Sequence, residues 1–179
     1  MAMSRQLANF GVGVQVFYIT KLRAQVWLIV QSLVSISQSS KCRVAALRFF
    51  GADIGSGVKI RSRTRVHFPW NLTIGEDSWI GEAVWFINHE KITIGANVCV
   101  SQRSIICSGG HDYRSASFEF AHKPVTIKDG AWVCLDVKVL PGVTIGECSV
   151  VSAGEIVRKS LPDYSMLVGG QVRPIDPPK

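Results

Sequence analysis

The chain has 179 residues, 47% of them hydrophobic and 18% charged, with a formal net charge of +7. This length suits one domain with a substantial core and is too short for two ordinary ones. The positive balance fits an anionic ligand or surface; nucleic acid is set aside, because the basic residues read as scattered and no helix-turn-helix or RNA-binding signature accompanies them.

The first predicted element is an amphipathic helix over 24–36 (AQVWLIVQSLVSI), interrupted by Gln25, Gln31 and Ser32. It is shorter than the roughly 20 residues that span a bilayer. Arg5, Lys21 and Arg23 precede it as in a signal peptide, but no A-x-A-like cleavage site follows. Two roles stay open for it. Packing against the body or a neighbouring subunit is preferred; lying on a membrane interface, peripheral to the inner membrane, is the rival. Residues 1–50 form this N-terminal helical segment.

From residue 51 a six-residue period takes over. Hexads start at Ile54, Ile60 and Val66; Ile74, Ile80 and Phe86; Ile94, Val100 and Ile106; Ile127, Val133 and Val139; and Ile145, Val151 and Val157. Four residues after most starters stands a small group, such as Val58, Thr64, Ser78, Ser104, Ala131 or Ser149. Two-residue alternation would mark an ordinary strand and spacings of three and four a helix, and neither matches. Three hexads close one triangular coil of about eighteen residues, with starters filling the prism and Gly after several of them easing the turn between faces. The expectation is a mainly β protein of about five parallel β-helix coils over 51–161, followed by a tail over 162–179. The spacing does not fix the handedness.

The period breaks between Val66 and Ile74, between Phe86 and Ile94, and, by twenty-one residues, between Ile106 and Ile127. Each break follows a third hexad, so all three leave the prism at one edge. That column carries Trp70 and Asn71, then Asn88, His89 and Glu90, then a long loop over 110–126 that contains His111. A loop of this length in a tight repeat is usually functional. Cys42, Cys99, Cys107, Cys134 and Cys148 make no C-x-x-C pair and are odd in number, which favours free thiols in a reducing, cytoplasmic compartment.

The segments Leu47–Ala52, Pro69-Trp70-Asn71-Leu72, Ile106–Tyr113 (ICSGGHDY), Pro124–Ile127, Gly130–Val133 and Pro141–Gly146 carry a resemblance over nearly the whole chain. The sequence resembles the hexapeptide-repeat O-acetyltransferases, most of all the branch that acetylates sugars of colanic-acid-like exopolysaccharides. That resemblance implies a left-handed coil and a homotrimer, with acetyl-CoA in a groove between neighbouring prisms, a sugar or glycan acceptor, and no metal. It makes His111 the general base. It places the donor near Trp132 and the backbone of Leu135 and Ala153, with Lys159 and Arg173 toward the phosphates. Trp70, Asn88, His89, Asp112 and Tyr113 are candidates for acceptor contact, and Phe118 and Phe120 for a sugar face or for pinning the loop. The sequence departs from the pattern at Gly170-Gln171 (usually Asn-Pro), at Glu155 in an inward small-residue slot, at Arg158 and at Cys134-Leu135.

Acetyl transfer to an alcohol needs a base, and imidazole, with an unperturbed pKa of about 6.5, suits the task. Direct attack requires no acyl-enzyme, although Cys107 and Cys134 leave a covalent route open. Two rival readings use the same prism. One is a zinc enzyme like the trimeric carbonic anhydrases, for which His67, His89, His111 and His122 are available but the close histidine pair is missing. The other is a scaffold without catalysis, against which the intact His111 segment speaks.

Overall fold

The computed structural model describes residues 18–177. Of the possible leader, Arg5 lies outside the described residues, whereas Lys21, Arg23 and residues 24–36 fall within the first helix. The N-terminal segment forms two helices, α1 (Tyr18–Ile36) and α2 (Ser40–Phe49), so the helix expected over 24–36 begins earlier and has a companion. Ser39 starts α2 as its N-cap, its side chain accepting from the Cys42 N–H.

The repeat then builds five coils of three short strands. They are β1 (Asp53–Ile54), β2 (Lys59–Ile60) and β3 (Arg65–Val66); β4 (Leu72–Ile74), β5 (Trp79–Ile80) and β6 (Trp85–Ile87); and β7 (Ile92–Ile94), β8 (Cys99–Val100) and β9 (Ile105–Cys107). Coils four and five hold β10 (Val125–Ile127), β11 (Trp132–Val133) and β12 (Lys138–Val139), then β13 (Thr144–Ile145), β14 (Val150–Val151) and β15 (Ile156–Val157). Corresponding strands pair in parallel and form the three faces of a prism. We call these face A (β1, β4, β7, β10, β13), face B (β2, β5, β8, β11, β14) and face C (β3, β6, β9, β12, β15).

Register explains the sequence pattern. Ile54, Ile74, Ile94, Ile127 and Ile145 stack as one interior column, and Val66, Phe86, Ile106, Val139 and Val157 as another, all buried. The small groups four residues on are buried too, and their hydroxyls tie coils together. Ser78 Oγ donates to the Gly95 carbonyl and accepts from the Val98 N–H. Among the described residues no buried side-chain nitrogen or oxygen lacks a partner. The glycine after a starter has a different role from the one expected. A Cβ on Gly75 would lie 2.5 Å from the Ala96 nitrogen of the next coil, so its task is close stacking. The left-handed turn itself falls two residues later, on Asp77 or Asn97.

The stack runs past five coils. Leu161 bridges to Ile145, and β16 (Ser165–Val168) pairs with β14 before β17 (Gln171–Pro174) folds back antiparallel on it. Much of the expected tail is therefore a partial sixth turn. Leu161 follows Val157 by a step of only four positions, a change of frame that hid the continuation; Leu161 to Leu167 restores the sixfold step.

The other end of the prism is closed by the helices. An uncovered β-helix end presents three strand edges of unpaired backbone groups. Here Arg48 donates to the Ile54 carbonyl and Arg43 Nε to that of Ile60, while the Trp27 indole donates to that of Val66. Ser40 Oγ accepts from Ile60 N–H and Gln31 Oε1 from Val66 N–H, so side chains take over as each sheet ends. Trp27 is buried against coil one, which bears out the packing role expected of α1.

Candidate active site

Face C connects to face A through residues 67–71, 88–91 and 108–124, so the three interruptions share one edge as the spacing required. They are pinned to one another. Asn88 Oδ1 accepts from the Phe68 N–H while its Nδ2 donates to the Phe68 carbonyl, and Asn71 Nδ2 donates to the carbonyls of Asn88 and His89. Buried Ser108 links the second excursion to the third, accepting from the Glu90 N–H and donating to the Glu90 carbonyl. Asn88 is fully buried with its amide engaged, so it fastens the turn.

The long loop is a small hairpin. Ala121 N–H donates to the Gly110 carbonyl, Asp112 N–H to the Glu119 carbonyl, and His111 bridges Phe120 between them. His111 is half-buried, its ring stacked on Phe118 with centroids 4.4 Å apart and planes within 6°. Its Nδ1 lies 3.0 Å from the Phe118 carbonyl. Phe118 and Phe120 therefore position the histidine. The Asp112 carboxylate accepts from the Arg114 backbone and guanidinium, which holds it below its ordinary value and closes the loop turn. Tyr113 is exposed, with Arg114 over its ring.

All four histidines fall on this edge. His89 stacks on His122 at 5.0 Å and meets His67 edge-on at 5.6 Å, and Phe120 lies between His122 and His111. Two of these rings act as acceptors, His67 Nε2 from the Trp85 indole and His122 Nδ1 from the Gly110 N–H. Burial, with Arg65 second, lowers the pKa of His67; burial and the neighbouring imidazoles lower those of His89 and His122, and only Glu90 raises His122 in return. The rings meet face to face or edge to face. Among the described residues no three His, Cys, Asp or Glu side chains form a group that could hold a metal ion. His67 and His122 were missed as members of the site, although the sequence held a signal: every histidine falls within one of the three breaks.

The donor-side residues lie elsewhere. Leu135 and Ala153 stack one above the other at the edge between faces B and C, joined by a bond from Gly154 N–H to the Leu135 carbonyl. Trp132 projects from face B and donates to Ser101 Oγ; Arg173 is exposed on β17, and Lys159 follows β15 on the His111 edge. Within one chain, His111 and the Leu135–Ala153 pair are thus a full face apart. Glu155 is only half-buried, and its carboxylate accepts from the Gly170 N–H. Two departures from the pattern turn out to be bonded to each other.

A protein named as a colanic acid biosynthesis acetyltransferase, WcaF, of Escherichia coli K12 is 40% identical over 144 residues, 79% of each chain. The chain belongs to the hexapeptide-repeat acetyltransferase family. This acetyltransferase is also 34% identical over 130 residues to one of Schizosaccharomyces pombe, covering 70% of its own length and 62% of the relative's. No protein-family model matches it. Among solved structures, a hexapeptide-repeat acetyltransferase of Vibrio cholerae complexed with acetyl-CoA superposes with a TM-score of 0.81 at 22% identity over 88% of each chain. A maltose O-acetyltransferase of Clostridium difficile gives 0.81 at 24% identity over 90% of each. Those likenesses carry the fold, and with it the left-handed coil.

Proposed function

We propose that this acetyltransferase moves the acetyl group of acetyl-CoA onto a sugar hydroxyl by direct attack, with His111 as general base. The observation that carries this reading is the contact of His111 Nδ1 with the Phe118 carbonyl. A carbonyl only accepts, so Nδ1 keeps the ring proton and Nε2 is the basic nitrogen. The hydroxyl proton passes to Nε2 as the oxygen attacks the thioester carbonyl; backbone N–H groups hold the oxyanion, and the imidazolium returns the proton to the departing thiolate. A covalent route is disfavoured, because burial raises the thiols of both Cys107 and Cys134 and so depletes the thiolate.

The donor is taken from the Vibrio cholerae neighbour, which was solved with acetyl-CoA, and the acceptor class from the relatives named for colanic acid biosynthesis and maltose acetylation. A glycan acceptor meets Trp70, His89 and Tyr113 along the edge; Asn88 and Asp112 act behind them by fixing the turns. Because base and donor contacts sit on different edges, the working site joins the His111 edge of one prism to the Leu135–Ala153 edge of a neighbour. A closed trimer makes that junction three times over. The outward residues agree. Face A presents Thr73, Thr93, Thr126 and Thr144, suited to water, whereas face B presents Trp79, Cys99, Trp132 and Val150.

The test is CoA-thiol release from acetyl-CoA across a panel of sugars. Release in His111→Ala falls by at least ~100-fold, the usual worth of a general base. Unchanged turnover in that variant overturns the assignment.

A further inference from the structure

We propose that the helical cap is a docking surface for an anionic lipid bilayer, with α1 lying flat on it. This goes beyond the acetyl-transfer reading and does not depend on it.

The first observation is a second apolar stripe on α1. Trp27, Val30 and Val34 face the prism, but Leu22, Val26, Ile29, Leu33 and Ile36 line the adjoining flank, roughly 110° further round the helix, at alternating steps of four and three. They stand well out of the fold, Leu22 at 63%, Ile29 and Leu33 at 66% and Ile36 at 70% exposure. A lone exposed leucine is ordinary, whereas a continuous apolar stripe beside the packed face of a helix marks a contact surface.

The second observation is the distribution of charge. Residues 1–75 hold ten of the twenty Lys and Arg but only one of the thirteen acids, Asp53. That part of the chain is therefore at +9 and residues 76–179 at −2. The basic residues that read as scattered collect at the capped end of the prism. Arg43 is buried in the cap, but Lys41, Lys59, Arg61, Arg63 and Arg65 are exposed on α2 and coil one. The basic and apolar surfaces are continuous: Arg63 N–H donates to the Ser35 carbonyl, beside Ile36 at the end of the stripe.

An apolar helix face bordered by an excess of cations, of which Arg63 is paired with Glu82, is complementary to an anionic membrane interface. A second copy of the same surface is the competing occupant, since steps of four and three also suit helix pairing. However, two copies of this cationic end repel, and α1 has no acidic residue with which to pair Arg23 across a seam. No described helix is long and apolar enough to cross a membrane, so the helix lies on the surface. The same geometry brings the acceptor edge near the lipid, because the Arg23 guanidinium sits 4.6 Å above the Trp70 ring.

The experiment is flotation of the full chain with vesicles of phosphatidylcholine, with or without ~30% phosphatidylglycerol. Binding is expected to the anionic vesicles only, weakened by salt, and reduced at least ~10-fold both in Ile29→Glu/Leu33→Glu and in Lys59→Glu/Arg61→Glu. Thiol release from acetyl-CoA with free sugars is measured on the same preparations without lipid. It stays at the wild-type rate in both variants, which shows them folded and separates this proposal from the catalytic one. Equal binding by wild type and variants overturns the proposal. So does wild type that ignores anionic vesicles while its solution mass halves on Ile29→Glu/Leu33→Glu, since the stripe then pairs two copies.

Discussion

Two imidazoles in the edge column accept hydrogen bonds through a ring nitrogen, His67 from Trp85 and His122 from Gly110, and each bond exists only while its ring is neutral. His122 matters most for chemistry, because Gly110 is the residue before His111 and its N–H fixes where the loop departs. The depressed pKa values of His67, His89 and His122 have a consequence for stability. The unfolded chain protonates these side chains near 6.5, whereas the folded chain resists until lower pH, so the unfolded state binds more protons in between. Stability is therefore full above about 6.5 and falls as the pH drops through that value toward the lower folded values. Thermal unfolding between pH 7 and about 5 is expected to show a falling midpoint, with a shallower slope in His89→Phe, which keeps the ring contacts but does not titrate. An unchanged slope in that variant would remove His89 from the set. At this scale the sequence was partly legible. His111 stood out by its segment and its loop, but Asn88 looked like a surface contact because burial is a tertiary fact. The ring-to-ring order of the histidines needed coil register as well as spacing.

The sixfold pattern was legible because each starter faces the same interior in every coil, and parallel stacking leaves little freedom in register. What failed at the level of elements were the ends, where the repeat has no neighbour. The partial sixth turn was obscured by a short step, and the cap by its use of ordinary helix residues for an unusual task. Arg43 is the clearest case. A basic residue reads as surface charge, yet it is buried, with Nε donating to the Ile60 carbonyl and Nη1 to that of Ser37. Arg43→Met keeps most of the apolar stem but leaves both carbonyls without a donor. Its expected cost is about 2–4 kcal/mol, since a buried unpaired group costs roughly 1–3 kcal/mol. Urea unfolding measures it, with Lys128→Met as control. The Lys128–Asp163 pair is largely exposed and its loss shifts the midpoint little. A comparable small shift in Arg43→Met would show that water satisfies the cap edge.

At the scale of the whole molecule the candidate residues divide between two edges, which a linear reading could not show because His111 and Leu135 lie only twenty-four positions apart. Their separation by one face of the prism gives a test of assembly that needs no knowledge of the acceptor. His111→Ala removes the base and leaves the donor edge intact; Leu135→Trp obstructs the donor edge and leaves His111 intact. If a working site takes His111 from one subunit and Leu135 from the next, neither homo-oligomer turns over, but mixed trimers contain junctions with both good halves. Random assembly from equal amounts gives about one such junction in four, so thiol release returns to roughly a quarter of the wild-type rate after co-refolding. Were both halves of a site drawn from one chain, mixing would restore nothing, because every chain carries one defect. Recovery near a quarter therefore places the active site between subunits, and a flat result would return both edges to a single prism.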